Sequence, residues 1–329
     1  MHSGHGRSFR VAEIITGAGL PDPISVGEGG TVVTVGTFDG VHRGHRAVIG
    51  EVLERANRYS RESVLVTFEP HPLAVLRPEL APPRLTTFEE KRDLLSETGL
   101  DYVVFLPFTR DLASLTAREF VEEILIERLG LKHLVIGFDH RLGRGRSGGA
   151  EELQALGAEL GFETDVIGPV SLGDGPVSST RIREALGEGH VREAAVDLGR
   201  RYSFRGRVIE GDGRGRELGF PTANIQLEDQ MKSMPLDGVY AVEARVRGEV
   251  WDGLLHLGPR PTFPGASRSV ELHILDFDLG IYGEAVEVSF IERIRPIRAY
   301  QSVDALVAAM HEDLARAREL FARESGACE

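Results

Sequence analysis

Cysteine is nearly absent from this 329-residue chain: the single one, Cys328, sits one residue from the C-terminal end. That excludes an internal disulfide framework and any cysteine-ligated metal centre. No apolar run approaches the ~20 residues that a membrane-spanning helix needs. Positive charge is also scarce, with 38 Lys and Arg against 51 Asp and Glu, a net charge of −13. Such an excess of carboxylates repels polyphosphate at long range, so neither a nucleic acid nor an anionic membrane is expected as a partner. The opening "MHSGHGRSFR" has no apolar stretch behind its basic residues. Residues 1–30 therefore read as an N-terminal lead rather than a secretory signal, and a cytoplasmic location is expected.

What remains is the composition of an ordinary globular protein, long enough for two domains with separate cores. Its arginines gather in three places: "HRLGRGRSGG" (140–149), "STRIR" (179–183) and "GDGRGRELG" (211–219). Arginine mixed with glycine or hydroxyl residues suits a compact phosphate, although each cluster taken singly reads equally well as plain loop arginines.

Between residues 31 and 170, short β-branched runs alternate with helical ones. "TVVTVGTF", "SVLVTFEP", "DYVVFLPF", "HLVIGFDH" and "TDVIGPV" are almost continuously apolar, as strands of a parallel sheet are. The helix after the first strand places Val48, Ile49, Val52, Leu53 and Ala56 on one face. Capping-box spacings, Thr87 with Glu90 and Thr116 with Glu119, mark the starts of two more. The series predicts a doubly wound parallel α/β sheet of the Rossmann-like kind. Ligands of such sheets bind beyond the carboxyl ends of the strands, which is where "GTFDGVHRGH", "EPHP", "PFTRD" and "GFDHRLGRGRSG" fall. Past two short helices ending at Gly199, period-two segments separated by glycine-rich turns predict a small antiparallel β-barrel, followed by a C-terminal helix capped by Ser302.

The turn "GTFDGVHRGH" puts His42 and His45 where a strand hands over to a helix. Backbone N–H groups and the helix dipole make that junction an anion site, and two imidazoles beside it can hydrogen-bond phosphate oxygens. Gly44 leaves room for a nucleotide against the backbone. The bland alternative is a pair of incidental turn histidines. In "VSSTRIREAL", Ser178, Ser179 and Thr180 read as a helix N-cap cluster, whereas Arg181 and Arg183 at the same end oppose the dipole unless a phosphate lies nearby.

The H-x-G-H turn resembles the signature of nucleotidylyltransferases. "GTFDGVHRGH", "FEPHP", "GFDHRLGRGRSG" and "SSTRIR", in that order, resemble the adenylyltransferase half of the bacterial bifunctional riboflavin kinase/FMN adenylyltransferase family, also called FAD synthetase. "GDGRGRELGFPTANI", "GVYAV", "GPRPTF", "VELHILDF" and "IYGE" resemble its riboflavin kinase half. The resemblance implies an adenylyltransferase domain over residues 31–186, a helical linker over 187–200 and a kinase domain over 201–329. It implies that His42, His45 and Arg183 stabilise the charge of adenylyl transfer, with Gly36, Phe38, Gly44, Ser179 and Thr180 around ATP and Asp139, Pro70 and His71 on the flavin side. In the kinase half it implies an ATP cradle at Gly213, Arg214, Gly215 and Arg216, a Mg2+ site at Thr222 and Asn224, and Glu271 as general base. ATP, riboflavin, FMN and FAD are then substrates or products, and flavoenzymes the recipients of FAD.

Two departures from the family pattern stand out. His140 and Leu142 replace phenylalanines of a "DFRFG" motif, and His256 replaces an asparagine. They bear on ligand affinity more than on reaction type. Three rivals stay open: a nucleotidylyltransferase with another acceptor, a class I aminoacyl-tRNA synthetase, and a flavin carrier or regulator with degenerate catalysis. The barrel motifs weigh against the first, the acidic charge against the second, and the retained His42, His45, Thr222, Asn224 and Glu271 against the third.

Overall fold

Six parallel strands, β1 (Glu13–Thr16), β2 (Thr31–Val35), β3 (Glu62–Glu69), β4 (Tyr102–Pro107), β5 (Leu131–Gly137) and β6 (Glu163–Ile167), form a sheet in the order β1-β4-β3-β2-β5-β6. The structure is a computed structural model describing residues 11–16, 29–173, 175–211, 215, 218–259, 269–277 and 280–326. The five expected strands are present. β1 is an addition from the expected lead, where Glu13–Thr16 pairs with Tyr102 to Phe105 at the sheet edge. Four residues outside any periodic pattern carry too little signal to be read as a strand.

Successive strand residues face opposite sides of the sheet. Val33, Val35, Val64, Val66 and Val104 therefore pack into one layer with Phe120, Val121, Leu125 and Leu153. Val32, Leu65, Val103 and Phe105 pack into the other with Ile49, Val52, Ala56 and Leu95. The first layer holds α5 (Ala117–Glu119, continued as a π-helix over Phe120–Ile126) and α6 (Ala150–Leu160); the second holds α1 (Arg43–Tyr59) and α3 (Phe88–Ser96). Two five-residue helices, α2 (Pro72–Leu76) and α4 (Arg110–Ser114), follow β3 and β4. Both expected capping boxes form, Thr87 with Glu90 on α3 and Thr116 with Glu119 on α5. Strand order reverses between β2 and β5, so the crevice of this sheet lies at the carboxyl ends of those two strands. A small hairpin, β7 (Ser171–Leu172) with β8 (Gly175–Pro176), follows β6.

The chain divides into two compact units, Met1–Ser178 and Ser179–Glu329. The second opens with α7 (Ser179–Glu188) and α8 (Val191–Leu198). It continues as β9 (Ser203–Ile209), β10 (Ala223–Leu227), β11 (Gly238–Val246), β12 (Glu249–Gly258), β13 (Ser269–Ile274) and β14 (Ala285–Arg295), closed in the order β10-β13-β12-β11-β14-β9. Tyr202, Phe204, Tyr240 and Phe290 are fully buried and pack ring against ring. Residues on the other face of the barrel strands, Val239, Ala241, Leu254 and Ile291, meet Ala317, Leu320 and Phe321 of the terminal helix α9 (Val303–Gly326). The Ser302 hydroxyl accepts from Ala305 N at 3.1 Å, as expected of its N-cap. Arg295 clamps the buried Asp313 through two contacts of 2.8 Å, fixing α9 to β14.

Candidate active sites

The turn after β2 is strained and tightly held. Phe38 and Val41 adopt left-handed φ values of 49° and 41°, unfavourable for any side chain and most of all for a β-branched one. Both are buried, Val41 completely. Asp39 accepts from the backbone of Leu85 at 3.0 Å and of Thr86 at 3.0 Å, and Gly40 N donates to Thr86 Oγ1 at 3.1 Å. Thr37 O accepts from Thr67 Oγ1 at 3.0 Å, joining the turn to β3. Gly36 N donates to Val66 O and Phe108 N to Glu69 O, so the segments after β2, β3 and β4 are stitched side by side.

This frame presents the two histidines. His42 is the N-cap of α1, its Nδ1 accepting from His45 N at 3.3 Å. A neutral His42 therefore carries its proton on Nε2. The rings of His42 and His45 stack at 3.6 Å with only 15° between planes, and Phe38 packs 5.0 Å from His45. His45 Nδ1 is buried with no hydrogen-bond partner among the described residues. Burial, then the neighbouring His42, then Lys91 hold the His45 imidazole well below its ordinary pKa, so it is neutral at pH 7.

The flanking glycines make room for side chains of the turn itself. A Cβ at Gly44 would lie 3.1 Å from the His42 ring, and one at Gly36 3.0 Å from Phe38. What occupies the space at Gly44 is thus the His42 ring. Phe38, read as an ATP contact, is 3% exposed and supports His45 from behind. Of the residues expected on the flavin side, Pro70 is exposed and His71 caps α2, its Nδ1 accepting from Leu73 N at 3.2 Å. Asp139 is exposed at the end of β5. Its neighbour His140 has a buried Nε2 without a partner among the described residues, and burial pushes its pKa down to about 4. Leu142 belongs to the core beside Ala117 and Phe120, so of the two departures only His140 changes the polar chemistry of this loop. Gly143 and Gly148 lie so close to Ala117 that a Cβ on either would overlap it, a packing reason for glycine there.

In the second unit, Ser179, Thr180 and Arg183 lie in the first turns of α7. Arg181, which a phosphate was expected to compensate, has a protein partner: its Nε lies 2.9 Å from Oδ2 of Asp197 on α8, a carboxylate 2% exposed. Desolvation raises the pKa of Asp197 although Arg181 opposes it, and its Oδ1 has no partner among the described residues.

The barrel brings several of the residues expected of the second site together. Asn224 on β10 and Glu271 on β13 are direct cross-strand partners, and Glu271 in turn pairs with His256 on β12, so the three share one face of adjacent strands. Ser269 Oγ donates to Glu271 Oε1 at 2.6 Å. His273 Nδ1 lies 2.8 Å from Pro221 O, tying β13 to the segment before Thr222. A Cβ at Gly211 would fall 1.8 Å from the Asn224 amide nitrogen, and one at Gly215 2.9 Å from Thr222 Oγ1. Gly211 and Gly215 therefore lie directly against Asn224 and Thr222. Gly213, Arg214 and Arg216 lie outside the described residues.

Sequence patterns leave two buried lysines unflagged among the described residues, Lys91 and Lys232. Lys91 on α3 is 6% exposed, with Nζ 3.1 Å from Phe68 O, 3.4 Å from Thr37 O and 3.8 Å from Glu69 Oε2. The available signal is its position three residues after Phe88 and four before Leu95, on the inward face of α3.

Sequence comparison supplies the family. Residues 26–181 match the model of the FAD synthetase family and residues 198–321 that of riboflavin kinase. The chain is 39% identical over 293 residues to the bifunctional riboflavin kinase/FMN adenylyltransferase of Escherichia coli (strain K12), covering 89% of this chain and 93% of that protein. It is 40% identical to the Pseudomonas fluorescens protein of the same description, covering 89% and 94%. A solved structure described as a macrolide-efflux protein from Streptococcus pneumoniae superimposes with a TM-score of 0.81 at 34% identity, covering 90% of this chain and 98% of that one. Among the described residues of this chain, no helix is long and apolar enough to cross a membrane. With both halves matched in order across nearly nine-tenths of its length, the chain belongs to the family of bifunctional riboflavin kinase/FMN adenylyltransferases.

Proposed function

We propose that the two reactions of the family are divided between the two halves of this chain, adenylyl transfer within residues 31–186 and riboflavin phosphorylation within 201–329, joined by the helical stretch 187–200. The protein is an enzyme of flavin cofactor synthesis: riboflavin and ATP give FMN and ADP, and FMN with a second ATP gives FAD and pyrophosphate. The observation that carries the division is that each family match covers its own polar constellation, stacked imidazoles in one and the Asn224–Glu271 pair in the other.

In adenylyl transfer, an FMN phosphate oxygen bonds to the α-phosphorus of ATP as the bond to pyrophosphate breaks. Since His42 Nδ1 is engaged by the helix, its Nε2–H is the group that can donate to a phosphate oxygen. The neutral His45 stacked on it and the N-terminus of α1 add hydrogen-bonding and dipolar support without a protein nucleophile. On the strength of the motif, Arg183 with Ser179 and Thr180 receives the leaving β and γ phosphates. Gly36 and Gly44 allow the close ring contacts that shape the ATP side, and Asp139, Pro70 and His71 border the flavin side.

In the kinase reaction Glu271 takes the proton of the riboflavin 5′-hydroxyl as that oxygen attacks the γ-phosphorus. Ser269 Oγ donates to one oxygen of this carboxylate at 2.6 Å and so helps to orient it. Thr222 and Asn224 offer two neutral oxygens against Gly215 and Gly211, where a Cβ would collide with them, a donor set suited to Mg2+, which takes oxygen ligands and keeps several as water and phosphate. A Mg2+ held there would neutralise charge on the transferring phosphate. Gly213, Arg214, Gly215 and Arg216 form the ATP cradle by motif. The product FAD is passed to flavoenzymes of the cytoplasm.

Incubation of the purified protein with riboflavin and Mg-ATP, with chromatographic separation of FMN from FAD, tests the assignment. Both products are expected, with FMN appearing first. Absence of FMN removes the kinase reading, and FMN without FAD confines activity to the barrel half.

A further inference from the structure

Lys91 is a costly residue in a costly place. An ammonium buried to 6% exposure loses its hydration, and a leucine or methionine would fill the same space between Phe88 and Leu95 without that cost. Its ligands show what it does there. Nζ reaches Phe68 O (3.1 Å) at the end of β3, Thr37 O (3.4 Å) in the strained turn and Thr67 Oγ1 (3.5 Å), while stacking 5.5 Å over the Phe105 ring. Thr37 O is the same carbonyl that Thr67 engages, so the turn is pinned at that point by two donors. The charged and titratable groups facing it are Glu69 on β3, 3.8 Å away and itself paired to Arg84 at 3.0 Å, with Asp39 in the turn and His45 on α1.

We propose that Lys91 is a positioning residue for adenylyl transfer, its ammonium fastening the turn that carries His42 and His45 to the end of β3 and placing a positive charge against that turn. This rests on the assignment of adenylyl transfer to that pair. Burial lowers the Lys91 pKa, and the nearby Glu69 and Asp39 carboxylates offset part of that loss by favouring the ammonium form. The charge then disfavours protonation of His45, keeping the ring in the neutral form it shows at pH 7.

Lys91→Gln keeps a hydrogen-bond donor and removes the charge; Lys91→Arg keeps the charge. For Lys91→Gln, kcat of FMN adenylylation should fall about 10- to 100-fold with a smaller change in KM for ATP, as a displaced catalytic group requires. The acidic limb of its kcat profile should move to higher pH, because the imidazole protonates more readily without the lysine. Lys91→Arg should keep the native acidic limb. Riboflavin kinase activity should be unchanged in both. An acidic limb that stays put in Lys91→Gln, or moves in Lys91→Arg, overturns the proposal; should Lys91→Gln fail to fold, the limb of Lys91→Arg decides alone. His42→Asn and His45→Asn are measured in parallel. If they leave FAD formation intact, the site assignment falls and takes this proposal with it; if they abolish it while Lys91→Gln does not impair it, only the role of Lys91 falls.

Discussion

Asn224 and Glu271 face each other across neighbouring strands of the barrel, held in register by the β10–β13 ladder. A neutral carboxamide beside a carboxylate carries no like-charge repulsion, as the proposed pairing of a cation ligand with a general base requires. Replacing Glu271 by glutamine keeps the shape and the Ser269 contact but removes the carboxylate proposed as the base. Riboflavin phosphorylation is expected to slow by about 100-fold or more. Adenylylation of supplied FMN should be retained. Initial rates from riboflavin and from FMN, read by chromatography, check both statements.

Gly44 sits in the first turn of α1, where alanine would ordinarily favour the helix by up to ~1 kcal/mol. Its Cβ would meet the His42 ring at 3.1 Å, so the ring must shift by a few tenths of an ångström. Gly44→Ala should therefore leave the melting temperature unchanged or slightly raised while reducing FAD formation from FMN by about tenfold. A calorimetric scan beside an adenylylation assay separates the two effects.

Arg181 and Asp197 form a pair with one partner buried. Removing the guanidinium as Arg181→Met leaves a buried carboxylate alone, at an expected cost of about 1–3 kcal/mol. Asp197→Asn in the same chain should restore part of that loss. Urea unfolding of the two variants and the double variant gives the coupling directly, and complete additivity would show the pair to be inert.

His140 titrates near 4 when folded against an ordinary 6.5. Below pH 6.5 the unfolded chain takes up a proton that the folded one refuses, so stability falls as the pH is lowered from about 6.5 toward 4. The loss is on the order of 2–3 kcal/mol. His140→Phe should abolish that segment of the pH dependence, as measured by thermal melting between pH 7 and pH 4.

The sheet strands were legible because each is apolar almost throughout, and the histidine turn because two imidazoles and several glycines fall at one strand-to-helix junction. β1 was not, being short and isolated, and β10 reads only as an extended segment because Pro221 and the glycine loop precede it. Lys91 escaped because a lysine on an amphipathic helix ordinarily faces water, and only its spacing from Phe88 and Leu95 places it inward. The partner of Arg181 was equally hidden: Asp197 lies sixteen positions along, on another helix, and nothing local marks it as buried.

The apolar layer between α9 and the outer face of the barrel has a consequence for biosynthesis. Ala317, Leu320 and Phe321 close a layer begun by Val239 and Ala241, some eighty residues earlier. While the ribosome is still extending the chain, that half holds an uncovered greasy wall until its last helix emerges, whereas the nucleotide-binding half already has every strand of its sheet. Newly made chains are thus expected to be most vulnerable to proteases and self-association in the interval between translation of β14 and emergence of α9.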